Sequence, residues 1–215
     1  MAIKINSSIM EGRIGNVVFY QSNGKQCARI VPQHFNNPNT PAQQKQRTKM
    51  KIVQQWLLPL KDVLRMGFVE GDRGTYYSRA VSATMLQAVV SEGDEQHIDP
   101  TLALVAQGTL TPMLNGQVQL TANGQQPTAI KINWTVGEKT VHSHVDDKLF
   151  WALYNENSGK VITNAKHSPK PRRNSGSCLI DLSNAKAGTY HLYAFFTNSK
   201  MTQSSDSTYL GEVTL

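Results

Sequence analysis

Apolar and polar positions follow two different rules along this chain. Through the first half, Ile52, Val53, Trp56, Leu60, Val63 and Leu64 recur at spacings of one, three and four, the period of a helix with one apolar face. Thr40-Pro41-Ala42-Gln43 supplies a start signal: an N-cap threonine, proline at the first helical position, and glutamine to close a capping box. The spacing predicts a helix from 41 to about 66, kinked or split at Pro59, which has no N–H to give. A second helix is predicted over 75–90, with Tyr77, Val81, Met85 and Ala88 or Val89 inward, ended by an acidic loop SEGDEQHIDP.

Beyond about residue 107 the period becomes two. Alternation in Ile130/Ile132/Trp134, Leu149/Trp151/Leu153 and Tyr190/Leu192/Ala194/Phe196 predicts strands over 107–112, 117–121, 129–136, 148–155, 160–163, 177–182, 188–197 and 208–215. About seven strands at this turn spacing argue for an antiparallel immunoglobulin-like sandwich. Trp134 and Trp151 are candidate core anchors, and Tyr190 or Tyr193 is placed for a tyrosine corner. Ahead of the helices, runs at 14–21 and 26–31 flank Ser22-Asn23-Gly24-Lys25, and Asn-Gly is a strong hairpin signal because it tolerates positive φ. The expected fold class is α+β: an N-terminal hairpin plus two helices over 1–106, and the sandwich over 107–215.

The glycine-punctuated hairpin GRIGNVVFYQSNGKQCARIVP and the helix start NPNTPAQQKQRTKM resemble an uncharacterised domain-of-unknown-function family of Bacteroidetes-type bacteria and their phages. The resemblance is strong over about 12–50 and loose elsewhere. It implies no activity and no catalytic residues.

Composition adds class limits. At 39% hydrophobic and 17% charged residues the chain is an ordinary globular protein, and no apolar run approaches a membrane span. The opening residues MAIKINSSIMEGR carry no apolar secretory core, so the cytoplasm is the expected compartment, with a virion the alternative. Two distant cysteines, Cys27 and Cys178, give no disulfide framework and read as inert thiols.

The net charge of +7 is uneven. Residues 1–70 hold ten Lys/Arg against three acids, whereas 71–106 hold two against five. A nucleic-acid surface would therefore use Arg13, Lys25 and Arg29 on the hairpin with Lys45, Arg47, Lys49 and Lys51 on the helix. A solvated helix face is the plainer reading of the same residues. A Pro-rich basic loop, Lys166 to Arg173, reads as an exposed, mobile hairpin.

The sharpest chemical pattern is VHSHVDD. If it is extended, His142, His144 and Asp146 share one face, and imidazole with carboxylate suits zinc. The same residues resemble part of the HxHxDH signature of metallo-β-lactamase-fold hydrolases. That signature's last histidine is Asp147 here, however, and the chain is too short and too β-rich for that fold. His34, His97, His167 and His191 are isolated in sequence, and no GxSxG or phosphate loop is present. The sequence thus points to a non-enzymatic interaction or assembly protein without a cofactor, partnered by another protein or by copies of itself. Nucleic-acid binding is the alternative reading, and zinc-dependent hydrolysis a remote one.

Overall fold

The computed structural model describes residues 4–6, 9–22, 24–34, 37–69, 71, 74–93, 95–123, 126–183 and 185–215. Asn23 of the expected turn, Phe35 and Asn36 of the linker, Asp94 of the acidic loop and Gly124 of a later turn lie outside the described residues. The chain forms two compact units, residues 1–41 and 42–215. The change of period near 107 therefore falls inside the second unit.

The first unit is an antiparallel meander in the order β1 (Lys4–Asn6), β2 (Ile9–Ile14), β3 (Val17–Ser22) and β4 (Lys25–Ile30). The anticipated hairpin is β3 and β4, and Gly24 supplies positive φ at its turn (+74°). Two further strands precede it. IMEGRI has no clear alternation and is broken by Gly12 at φ +132°, so period-2 reasoning had nothing to hold there.

In the second unit, the expected helix is split into α1 (Pro41–Leu57) and α2 (Lys61–Gly67). The break comes just where Pro59 removes a donor, and Leu60 restarts the ladder by accepting from Val63 and Leu64 at 2.9 Å each. Helix α3 (Tyr76–Gln87) starts on Thr75, whose side chain accepts from the Ser78 N–H at 3.2 Å. It buries Ala80, Ala83 and Thr84; of the residues expected inward, Ala88 is fully buried, and Tyr77, Val81 and Met85 pack partly covered against the same core. The helix then stops short of Val89. The segment expected as helix end and acidic loop is a small hairpin, β5 (Val89–Glu92) with β6 (Glu95–Ile98). Strands of four residues are too short to declare a period.

The rest of the unit is two antiparallel sheets. One has the order β11 (Ser177–Asp181), β8 (Gln126–Thr135), β7 (Leu114–Asn123). The other runs β10 (Lys160–Thr163), β9 (Lys148–Asn155), β12 (Thr189–Thr197), β13 (Thr208–Thr214). Residues 107–112, expected as a strand, contribute only an isolated bridge from Leu110 to Ser205. Their backbone is satisfied by scattered tertiary partners: Gln107 N–H donates to Gly67 O at 3.0 Å and Leu110 N–H to Ser204 O at 3.0 Å.

Two cores follow. Ile130, Ile132, Trp134, Cys178 and Ile180 of the three-stranded sheet meet Leu149, Trp151, Leu153, Leu192, Ala194 and Phe196 of the four-stranded one. The opposite face of the four-stranded sheet, through Phe150, Ala152, Tyr154, Tyr193 and Phe195, packs against Val53, Trp56, Leu57, Leu60 and Leu64 of the helices. The unit thus has three layers, sheet, sheet and helices. Strands β9 and β12 are covered on both sides, which is why LFWALY and TYHLYAFF read as nearly continuous apolar runs.

Candidate functional site

Among the described residues from 10 to 40, none is buried. The meander instead has two exposed faces, and its register sorts the side chains between them. Arg13 stands opposite Val18, and Val18 opposite Arg29; Tyr20 pairs with Cys27 and Ser22 with Lys25. Directly opposed residues project to the same side of a sheet. The register therefore gathers Arg13, Lys25 and Arg29 on one face with Val18, Tyr20 and Cys27. Val18, Tyr20 and Arg29 line a depression of about 290 Å³ there. The Arg13 Nε is partly engaged, donating to Gly15 O at 2.8 Å.

The other face carries no charge. It is formed by Ile14, Val17, Phe19, Gln21, Gln26, Ala28 and Ile30. Gln26 fastens β4 to β2, donating from Nε2 to Met10 O at 2.6 Å and accepting from Met10 N–H at 3.2 Å. Ile30 is 71% exposed and Ile14 47%, so the apolar stripe is uncovered.

The helix cations are arranged differently. The first eight residues of α1 are all exposed, Lys49 is half-buried, and no acid stands in its first turn. At about 100° per residue, Lys45 and Lys49 share one side, whereas Arg47 and Lys51 lie about 200° around the axis. These four charges surround the helix and do not form a single stripe.

The histidine segment is not extended. Thr140 and Ser143 bond each other reciprocally (2.9 and 3.2 Å) and close a turn around Val141 and His142, followed by a second turn at Val145 and Asp146. A shared strand face for His142, His144 and Asp146 is thereby lost. Asp146 is taken by Arg172 at 2.8 Å. No group of three or more His, Cys, Asp or Glu placed to hold a metal ion occurs among the described residues.

The basic loop also differs from its expected form, because its cations are tied down. Lys166 pairs with Asp62 at 2.7 Å. The Lys170 ammonium donates to the carbonyls of Asn164, Ala165 and His167 and lies 4.9 Å from the Phe150 ring centre; burial lowers its pKa. Arg173 is buried. Its Nε meets Asp147 Oδ2 at 3.0 Å, another guanidinium nitrogen donates to Thr111 O at 2.7 Å, and the group stacks 3.9 Å over Phe196. Asp147 Oδ2 also accepts from the His144 N–H at 3.0 Å.

Sequence reasoning missed two further features. His191, isolated in sequence, has Tyr209 Oη at 3.0 Å from Nδ1 and Glu156 Oε2 at 3.3 Å from Nε2; burial and then the nearby Glu212 charge raise the Tyr209 pKa. A second concavity lies between the β9–β10 turn and residues 186–190. Neither has a local signal, since each joins positions eighteen or more residues apart. Cys178 behaves as its apolar strand implied: burial pushes its thiol up to about 11, which suppresses the nucleophilic thiolate.

Among the described residues no helix is long and apolar enough to cross a membrane. A family model, describing a family of unknown function, matches residues 9–211 and so reaches into both units. No curated protein matches the chain.

Proposed function

We propose that this chain, which belongs to the family of unknown function DUF6266, is a non-enzymatic interaction or assembly protein whose N-terminal meander is the surface that meets a protein partner. The observation that carries this reading is the uncovered meander, with no buried residue among those described from 10 to 40. A small sheet gains independent stability only by covering an apolar face. Here Ile14, Val17, Phe19 and Ile30 present such a face without a single charge.

The second unit supports the reading as a scaffold. Three strands facing four, in the orders β11-β8-β7 and β10-β9-β12-β13, favour an immunoglobulin-like or fibronectin type III-like domain. So does the Tyr190 hydroxyl, which donates to Lys186 O at 2.9 Å just before β12, as a tyrosine corner does. Such sandwiches serve many binding roles, so the site and not the fold carries the proposal.

Hydrogen exchange on the full chain tests it. Amides of β2 to β4 are expected to exchange at least about 100-fold faster than those of β9 and β12 in dilute protein. Protection should then rise across residues 9–30 as concentration or a partner covers the apolar face. Equal protection of both units in dilute solution, unchanged on concentration, would show a self-sufficient sheet and sink the reading.

A second reading rests on the opposite face. Cations interleaved with an exposed aromatic suit a single nucleic-acid strand, because bases stack on the ring while phosphates meet the guanidinium groups. Arg13, Lys25, Arg29 and Tyr20 meet that description, whereas the α1 cations surround their helix and form no single stripe. Anisotropy with a random single-stranded oligonucleotide should give a log Kd–log salt slope near 2 in magnitude, about 0.7 for each of three cations. The variant carrying Arg13→Glu and Arg29→Glu should lose binding. A titration insensitive to salt would remove nucleic acid from this face.

A further inference from the structure

The concavity beside the β9–β10 turn has a volume of about 380 Å³, at the lower end of the range for small-molecule sites. Its chemistry is lopsided. Lys160 and Lys186 both line it, and among the described residues no carboxylate does. The nearest acid in sequence, Glu156, is turned to His191 at 3.3 Å. His191 follows Tyr190 on β12, so it projects to the opposite face of the sheet.

The frame is fixed before any ligand arrives. Asn155, only 3% exposed, accepts at Oδ1 from the Ser158 N–H and hydroxyl, both at 2.8 Å. A Cβ on Gly188 would stand 2.5 Å from its amide nitrogen. Gly188 itself holds φ +149°, a conformation that favours glycine, and exchanges two 3.0 Å bonds with Leu215. The Tyr190 hydroxyl holds the Lys186 carbonyl. The site therefore offers donors, two ammonium groups and the Asn155 amide, beside apolar Ile162 and Tyr190, which share one face of the sheet with Lys160 and Asn155.

We propose that this concavity binds an acidic sugar residue. A uronic-acid carboxylate answers the lysines, ring and hydroxyl oxygens answer the Asn155 amide, and the apolar face of the pyranose lies on Ile162 beside Tyr190. A neutral sugar lacks the charge. A simple dicarboxylate lacks the ring that would lie there. The volume admits a single sugar unit.

The test is a titration of the isotope-labelled full chain followed by amide chemical shifts, including the Asn155 side chain and the Gly188 N–H. Glucuronate should give saturable shifts at these positions. Glucose and succinate should each bind at least about tenfold more weakly. The variant with Lys160→Gln and Lys186→Gln should also weaken glucuronate about tenfold or more, as expected for two solvent-screened charge contacts. Both lysines are exposed, and Lys186 serves the frame through its backbone carbonyl, so the variant keeps its fold; an unchanged spectrum elsewhere verifies this. Succinate binding as tightly as glucuronate would show a plain anion site and overturn the sugar assignment. No saturable shift, or full binding by the double variant, would overturn the site itself.

Discussion

Arg173→Ala is expected to destabilise the second unit by about 3–5 kcal/mol, the usual cost of breaking a buried ion pair from one side. Arg173 and Asp147 side chains are 5% and 1% exposed, so solvent does not screen the loss. Alanine removes the 3.0 Å contact to Asp147, the 2.7 Å bond to Thr111 O and the stacking over Phe196 in one step. Asp147 is then left buried without its counter-ion, with Oδ1 already lacking a partner among the described residues. Lysine would not restore the site, since an ammonium has neither the flat face for Phe196 nor the fork that reaches two acceptors. Urea unfolding followed by circular dichroism measures the effect. Replacing both partners together, Arg173→Met with Asp147→Leu, should recover most of the loss, because no unpaired charge remains. A single-variant cost below about 1 kcal/mol would mean that the pair is hydrated in solution.

Trp56→Ala is expected to cost a similar amount, about 3–5 kcal/mol, from cavity and transfer losses. The indole is the hinge between helix layer and sheet: its ring centre lies 5.5 Å from Tyr154 and 6.3 Å from Tyr193, edge-on to both. For a unit of this size the loss should lower Tm by roughly 6–20 °C, at 2–4 °C per kcal/mol. Trp56→Phe supplies the contrast. The indole N–H is buried without a partner among the described residues, so phenylalanine relieves a polar burial cost of about 1–3 kcal/mol while keeping much of the ring. Its Tm should fall far less than that of the alanine variant. Equal losses for both would show that the N–H is satisfied in solution, by water or otherwise.

What could be read in the sequence was what local geometry dictates. Pro41 and Pro59 bracket α1 because proline acts on its own turn, and the bounds of β9 and β10 stand as the alternation placed them. The α+β class follows from those same periods. The failures share one cause, which is that the deciding partner is remote. Residues 107–112 have strand-like composition, yet their donors go to Gly67 and Ser204. VHSHVDD looks like a ligand array on a strand, but Thr140 and Ser143 fold it into a turn. Arg173 sat among apparently solvated cations, and only the folded chain brings Thr111, Asp147 and Phe196 around it. For the candidate surfaces, the cations of the meander were visible as residues. Their collection on one face with Tyr20 depends on register, which Gly24 and its turn set.

The doubly covered sheet also bears on how this molecule can be divided and reused. Sandwich domains are commonly passed between proteins as free-standing cassettes. This one cannot travel alone, because Phe150, Tyr154, Tyr193 and Phe195 are finished by helix residues from well before residue 107. A recombination event that joined new sequence near residue 107 would expose an aromatic wall to water. The transferable piece begins instead at Ala42, so a transfer that keeps this core intact must carry the helices and the sandwich together.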